Sequence, residues 1–150
     1  MRIIIAGSRN HNNRNEIFRM LDEALESEVL KASHTIKKSD IEIISGGARG
    51  VDSIAIEWAK ATSLRFIVIK ANWHDMSQPC LKKFSFDGLP YNALAGFNRN
   101  KEMATYASLD EGRLWAIWDG KSPGTKHMIE TARNIGLKFQ IFYKGVNILS

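Results

Sequence analysis

Three short stretches of this 150-residue chain bring together glycine, arginine and small polar or acidic side chains. They are Gly7-Ser8-Arg9, Ser45-Gly46-Gly47-Ala48-Arg49-Gly50-Val51-Asp52 and Asp119-Gly120-Lys121-Ser122-Pro123-Gly124-Thr125. Glycine lets a backbone turn tightly and approach a ligand closely. Arginine offers a planar fork of donors that matches phosphate. Backbone N–H groups in turns and at helix N-termini hold anions. These residue types therefore point to a phosphate-bearing ligand, gripped by Arg9 and Arg49 and by the amides of residues 46–50 and 122–125. Asp52 falls in a first helical turn, where a carboxylate meets the helix dipole or accepts a ribose hydroxyl. Asn98-Arg99-Asn100 reads as the opening of a further helix, where a cation is better explained by a bound anion than by helix stability. Glu102 is spaced to pair with Arg99. Each motif also has a plainer reading: a tight strand-to-helix turn, Ser122 as an ordinary N-cap, or a surface salt bridge worth little.

Other chemistries leave no trace. His11, His34, His74 and His127 are scattered, and with the lone Cys80 they give no metal-ligand spacing. The chain has no Ser-His-Asp arrangement and no Gly-x-Gly-x-x-Gly, and its Gly-Lys-Ser lacks the P-loop order. Trp73 and Trp118 stand at strand ends, where a base could stack on them, although packing is the commoner fate of tryptophan. No metal and no cofactor are expected.

The elements that must position these motifs alternate. Residues 2–6, 41–45, 65–70, 113–118 and 138–143 read as strands, and the first is too continuously apolar for a half-exposed sheet. Helical spacing marks residues 13–32, about 50–62, 97–108, and a segment that starts at Ser122-Pro123 and stops at Gly136. This alternation predicts an α/β fold: a Rossmann-like, doubly wound, mostly parallel sheet of about five strands flanked by helices. In such a sheet every strand-to-helix turn lies along the carboxyl edge, so the three motifs should meet there. Residues 33–40 read as a polar connection. Residues 71–94 break the rhythm and read as a long loop, placed to fold over the ligand edge as a lid.

The length suits one domain over residues 1–150, and no apolar run approaches a membrane span. The single cysteine and the absence of a cleavable leader pattern suit a cytoplasmic protein without membrane contact. A net charge of +5 permits anionic partners without requiring them. Lys31, Lys37, Lys38, Lys82 and Lys83 read as solvated loop charge.

Taken in order, the three motifs, together with Ala95-Gly96-x-Asn98-Arg99-Asn100-x-Glu102-Met103, resemble the SLOG superfamily and within it the small stand-alone YspA-like branch. The resemblance runs from the first strand to the last helix. It implies a Rossmann-like fold, nucleotide or nucleic-acid handling, and a homo-oligomer. Related families are the Lonely Guy phosphoribohydrolases, which cleave nucleoside monophosphates, and the DNA-processing protein A family, which binds single-stranded DNA. The implied ligand set is Gly7, Ser8, Arg9, Ser45, Gly46, Gly47, Arg49, Gly50, Asp52, Arg99, Asn100, Asp119, Gly120, Ser122, Gly124 and Thr125. The hydrolase branch carries Arg-Lys-x-x-Met and Gly-Thr-x-x-Glu; here Asn100 replaces the Lys and Met128 replaces the Glu. Methionine cannot stabilise an oxocarbenium ion or activate water. The resemblance thus favours a binder of a nucleotide-derived small molecule. It leaves open a nucleotide N-glycosidic hydrolase using Asp119, Asp52 or Glu102, and a single-stranded nucleic-acid binder.

Overall fold

The structure is a computed structural model that describes residues 1–143 and 146–149. Its main sheet is built from β1 (Arg2–Gly7), β2 (Glu42–Ser45), β3 (Arg65–Val68), β6 (Gly112–Trp118), β7 (Lys138–Tyr143) and β8 (Val146–Leu149). The strand order is β3-β2-β1-β6-β7-β8. The first five strands are parallel, and β8 is antiparallel at the edge beside β7. The helices are α1 (Arg14–Lys31), α2 (Val51–Ala61), α3 (Ala95–Ser108) and α4 (Pro123–Ile135). A one-turn helix at Lys38–Asp40 interrupts the polar connection expected over 33–40.

The alternating side-chain directions of a strand explain why the apolar runs are continuous. Ile3, Ile5, Ile43 and Trp115 point to one face, where α1 and α2 cover them with Ile17, Met20, Ala55 and Trp58. Ile4, Ile44, Leu114 and Ala116 point to the other, where α3 and α4 supply Met103, Ala104, Met128 and Ile129. The helix ends follow local chemistry. The Asn13 side chain accepts from the Glu16 amide at the start of α1. Gly136 closes α4 in the left-handed conformation at φ 87°. Among the described residues, no helix is long and apolar enough to cross a membrane.

The chain builds outward from β1 to β2 and β3, then returns to place β6 on the other side of β1. Ligands in such sheets bind at the carboxyl ends of the strands that flank this reversal, here β1 and β6. Parallel register sets Gly7 opposite Ile117 and Ile5 opposite Ser45, so the turns after β1, β2 and β6 leave the sheet side by side.

Besides that one-turn helix and the antiparallel edge strand β8, two further features depart from the sequence expectation. The segment 71–94 is not wholly a loop, since β4 (Lys82–Phe84) and β5 (Pro90–Asn92) pair as an antiparallel hairpin. Three-residue strands holding two lysines or a proline carry no alternation to read. Helix α3 begins at Ala95, two residues before the expected start, which puts Arg99 in its second turn.

The inserted segment owes its shape to Asn92, a fully buried polar side chain. Its Oδ1 accepts from the Leu81 and Leu94 amides at 3.1 and 2.9 Å. Its Nδ2 donates to the Asp75 and Pro79 carbonyls at 3.1 and 3.0 Å. Replacing it takes a bond from four backbone groups, of which only the Pro79 carbonyl keeps another donor, Asn98 Nδ2 at 2.8 Å. Asn92→Ala is expected to cost about 2 kcal/mol and to speed limited proteolysis between residues 75 and 91, with the far-ultraviolet spectrum unchanged. Equal cleavage rates in variant and wild type would show that Asn92 does not hold the segment.

Candidate functional site

A cleft of about 620 Å³ opens at the carboxyl edge, between the ends of β1 and β6, the first turn of α2 and the start of α3. Of the residues proposed from sequence, Gly7, Ser8, Arg9, Arg49, Asp52, Arg99, Asn100, Asp119, Ser122, Gly124 and Thr125 line it. Ser45, Gly46, Gly47, Gly50 and Gly120 do not line it, being drawn into turn and backbone contacts instead. Ser45, fully buried, donates its hydroxyl to the Asp52 carbonyl at 2.9 Å. Gly120 turns at φ 79° beside the Tyr143 ring.

Arg99 reaches from α3 across to the turn after β2. Its Nη1 donates to the Gly46 carbonyl at 2.8 Å, and its Nε donates to Asn100 Oδ1 at 3.2 Å. A side chain on Gly46 would start 2.3 Å from that Nη1 and 2.8 Å from Asp52 Oδ2. The glycine is thus what allows guanidinium and carboxylate to lie against this turn. The pairing of Arg99 with Glu102 does not form: Glu102 is exposed and lines a second groove, which Arg99 also borders, without an ion pair between them. Residues three apart share a helix face only roughly, and Arg99 is drawn the other way by Gly46.

The amides divide unevenly. Gly47 N–H donates to Ser45 Oγ and Ala48 N–H to Asp52 Oδ2, both at 3.2 Å, so the turn after β2 offers the Arg49 side chain more than free donors. In the turn after β6, Ser122 holds the N-cap position, but its side chain makes no capping bond. Asp119 orders the turn ahead of the helix instead, since its Oδ1 accepts from the Lys121 and Ser122 amides at 2.8 and 2.7 Å. Those bonds hold the Asp119 carboxyl below the usual carboxylate range. Pro123 has no N–H. That leaves Gly124 and Thr125, whose first-turn amides have no intrahelical acceptor and whose residues border the cleft.

Sequence reasoning missed Asn10, Phe97, Met103 and Lys121 as cleft residues and left Trp73 more in the packing class than in the site. Trp73 lines the cleft from the inserted segment, edge-on to Tyr91 with ring centroids 6.4 Å apart. Trp118 packs instead, donating Nε1–H to the Ser122 carbonyl at 3.2 Å. Met128 is buried and closes the cleft floor with a thioether rather than a carboxylate.

Asp52 is the buried acid of the cleft, 6% exposed. Desolvation pushes its carboxyl up to about 6, against the opposing pull of Arg99, the Ala48 amide and Arg9. Burial also lowers the Arg99 guanidinium from its usual value, with Asp52 opposing.

A family model for the YspA, cpYpsA-related SLOG family matches residues 1–75, half of the chain. The matched stretch contains β1, β2 and β3 with the turns that carry Arg9, Arg49 and Asp52. Arg99 and the turn after β6 lie beyond it. No curated protein and no solved structure gave a significant match.

The raised Asp52 pKa fixes a sign. Between the unfolded value of 3.8 and about 6, the folded protein keeps a proton that the unfolded chain releases. Stability therefore falls as pH rises through that window and stays lower above it, by about 3 kcal/mol at most. Asp52→Asn keeps an acceptor for Ala48 and removes the buried charge. It is expected to raise stability to urea by about 1–3 kcal/mol at pH 7.5 and by about a third as much at pH 4.5, inside that window. An equal effect at both pH values would contradict this account of Asp52.

Proposed function

The chain belongs to the YspA, cpYpsA-related SLOG family, and from that premise we propose that it binds a phosphorylated nucleotide or a nucleotide-derived small molecule in the carboxyl-edge cleft. Family membership by itself carries only a broad expectation of nucleotide-related binding or hydrolase-like chemistry. The observation that supports the narrower reading is a convergence of charge. Arg9, Arg49, Arg99 and Lys121 come from four separate segments and line one cleft, facing only Asp52 and Asp119 among its described lining residues. Self-repulsion of this kind is tolerated where an anion compensates it. Beside these cations the first-turn amides of Gly124 and Thr125 are set for phosphate oxygens.

Gly124 supports the same reading from the opposite direction. A Cβ built on it meets nothing within 4 Å, and its φ is not positive, so neither packing nor backbone conformation requires glycine there. Glycine in a helical turn costs stability relative to alanine. Close approach of a ligand to this backbone explains why the cost is carried.

A second reading, hydrolysis of a nucleotide N-glycosidic bond, rests on Asp52. A buried carboxyl poised near 6 in a cleft has the protonation behaviour of a general acid or base. Release of free base from a nucleoside monophosphate, lost in Asp52→Asn, would establish it.

Two variants test the binding reading. Gly124→Ala is expected to raise thermal stability by about 0.5 kcal/mol while weakening nucleotide binding at least tenfold. Arg49→Ala, at an exposed position, is expected to leave the melting temperature unchanged and lower affinity about tenfold. Full nucleotide affinity in both variants would remove this edge of the sheet from the site. Affinity that grows with oligonucleotide length and falls steeply with salt would instead favour a single-stranded nucleic acid as the ligand.

A further inference from the structure

Asn100 is 5% exposed and sits where three parts of the cleft meet. Its Nδ2 donates to the Gly124 carbonyl at 3.2 Å and lies 3.1 Å from His127 Nδ1. Its Oδ1 accepts from Arg99 Nε at 3.2 Å. Only one orientation of the amide satisfies these neighbours. A carbonyl can only accept and a guanidinium can only donate, so the amide nitrogen must face Gly124 and the oxygen must face Arg99. His127 Nδ1 is thereby obliged to accept, which makes the ring neutral with its proton on Nε2. Burial lowers the His127 pKa in the same direction, with Lys101 adding to it and Glu130 opposing.

The imidazole fixed in this way lies flat against Phe97, with ring centroids 4.1 Å apart and planes 10° from parallel. Phe97 is 38% exposed and lines the cleft. One face of its ring is covered by His127, so a base can stack only on the other. The sequence spacing supports this arrangement, since Phe97 and Asn100 are one helical turn apart on α3. Trp73 also lines the cleft, but its outer ring edge lies near Gly96 and it meets Tyr91 edge-on, so no second ring backs it in a parallel stack.

We propose that Phe97, backed by His127, is the platform on which the aromatic base of the ligand stacks, and that Asn100 holds this platform in register with the Arg99 phosphate clamp. This deepens, and rests on, the nucleotide-binding reading of the same cleft. It specifies a ligand that carries an intact base, as distinct from a base-free sugar phosphate or a polyphosphate. A base on the open face of Phe97 extends a parallel stack already two rings deep. Phe97 would select for the base, and His127 would be a positioning residue acting through Phe97.

Calorimetric titration of the full chain tests this, with AMP, GMP, CMP and UMP as nucleotide probes and ribose 5-phosphate as the base-free probe. The tightest nucleotide is expected to bind wild type at least tenfold better than ribose 5-phosphate. Phe97→Ala is expected to abolish that preference and leave ribose 5-phosphate binding unchanged, while Phe97→Tyr retains it. His127→Leu, which removes the backing ring, is expected to reduce the preference without changing sugar phosphate binding. Equal wild-type affinity for nucleotide and ribose 5-phosphate, or a preference that survives Phe97→Ala, would overturn the platform alone. Binding of neither probe class to wild type would overturn the platform together with the cleft reading beneath it.

Discussion

The site depends on a backbone crossing at Gly50. This residue turns at φ 78° and ψ −131°, a conformation essentially restricted to glycine. Any Cβ on it would lie 2.4 Å from the Ser8 carbonyl oxygen and 2.6 Å from that of Arg9. The next amide, Val51 N–H, donates to the Ser8 carbonyl at 3.2 Å. The turn after β1 is thus laid directly on the start of α2, with no room for a side chain between them. Arg9, Arg49 and Asp52 face one space because these two segments touch.

A second close approach adds the far half of the sheet. Arg99 crosses the bare Cα of Gly46 and binds its carbonyl, and Asn100 carries the connection on to Gly124 and His127. Charge, turn geometry and aromatic surface are tied together by a few short contacts. These contacts also set the local energetics: an acid as buried as Asp52 opposes folding when ionised, and its retention is understandable if the site needs it. The cleft stores unfavourable features, namely clustered cations, a desolvated carboxyl and a glycine in a helical turn, and a bound anion would relieve the first of them.

Much of the fold was legible in the sequence. Runs such as Ile3-Ile4-Ile5-Ala6 mark strands buried on both faces, and the glycine-rich turns after them mark the carboxyl edge. That logic brings Gly7, Arg9, Arg49 and Asp52 together, because topology alone places strand-to-helix turns side by side, whereas Arg99 comes from the helix after the long segment. What stayed hidden depends on tertiary contact. The hairpin β4–β5 is held by the side chain of Asn92, whose partners are backbone groups with no sequence signature. Strand β8 pairs antiparallel with β7, which the parallel rhythm did not anticipate. Asp119 closes an Asx turn on the Lys121 and Ser122 amides ahead of α4, while the Ser122 side chain makes no cap bond. Phe97 and His127 are thirty residues apart and meet only because α3 packs on α4.

The claim at the centre of this account is that the cleft is completed by a nucleotide. Thermal unfolding of the pure chain against nucleoside mono- and diphosphates, NAD, ADP-ribose and a short single-stranded oligonucleotide tests it most directly. A bound ligand at a hundredfold excess over its dissociation constant contributes about 2.7 kcal/mol, enough for a melting-temperature rise of several degrees. The account predicts such a rise with at least one small nucleotide. A rise with the oligonucleotide alone, or no rise with any of them, would contradict it.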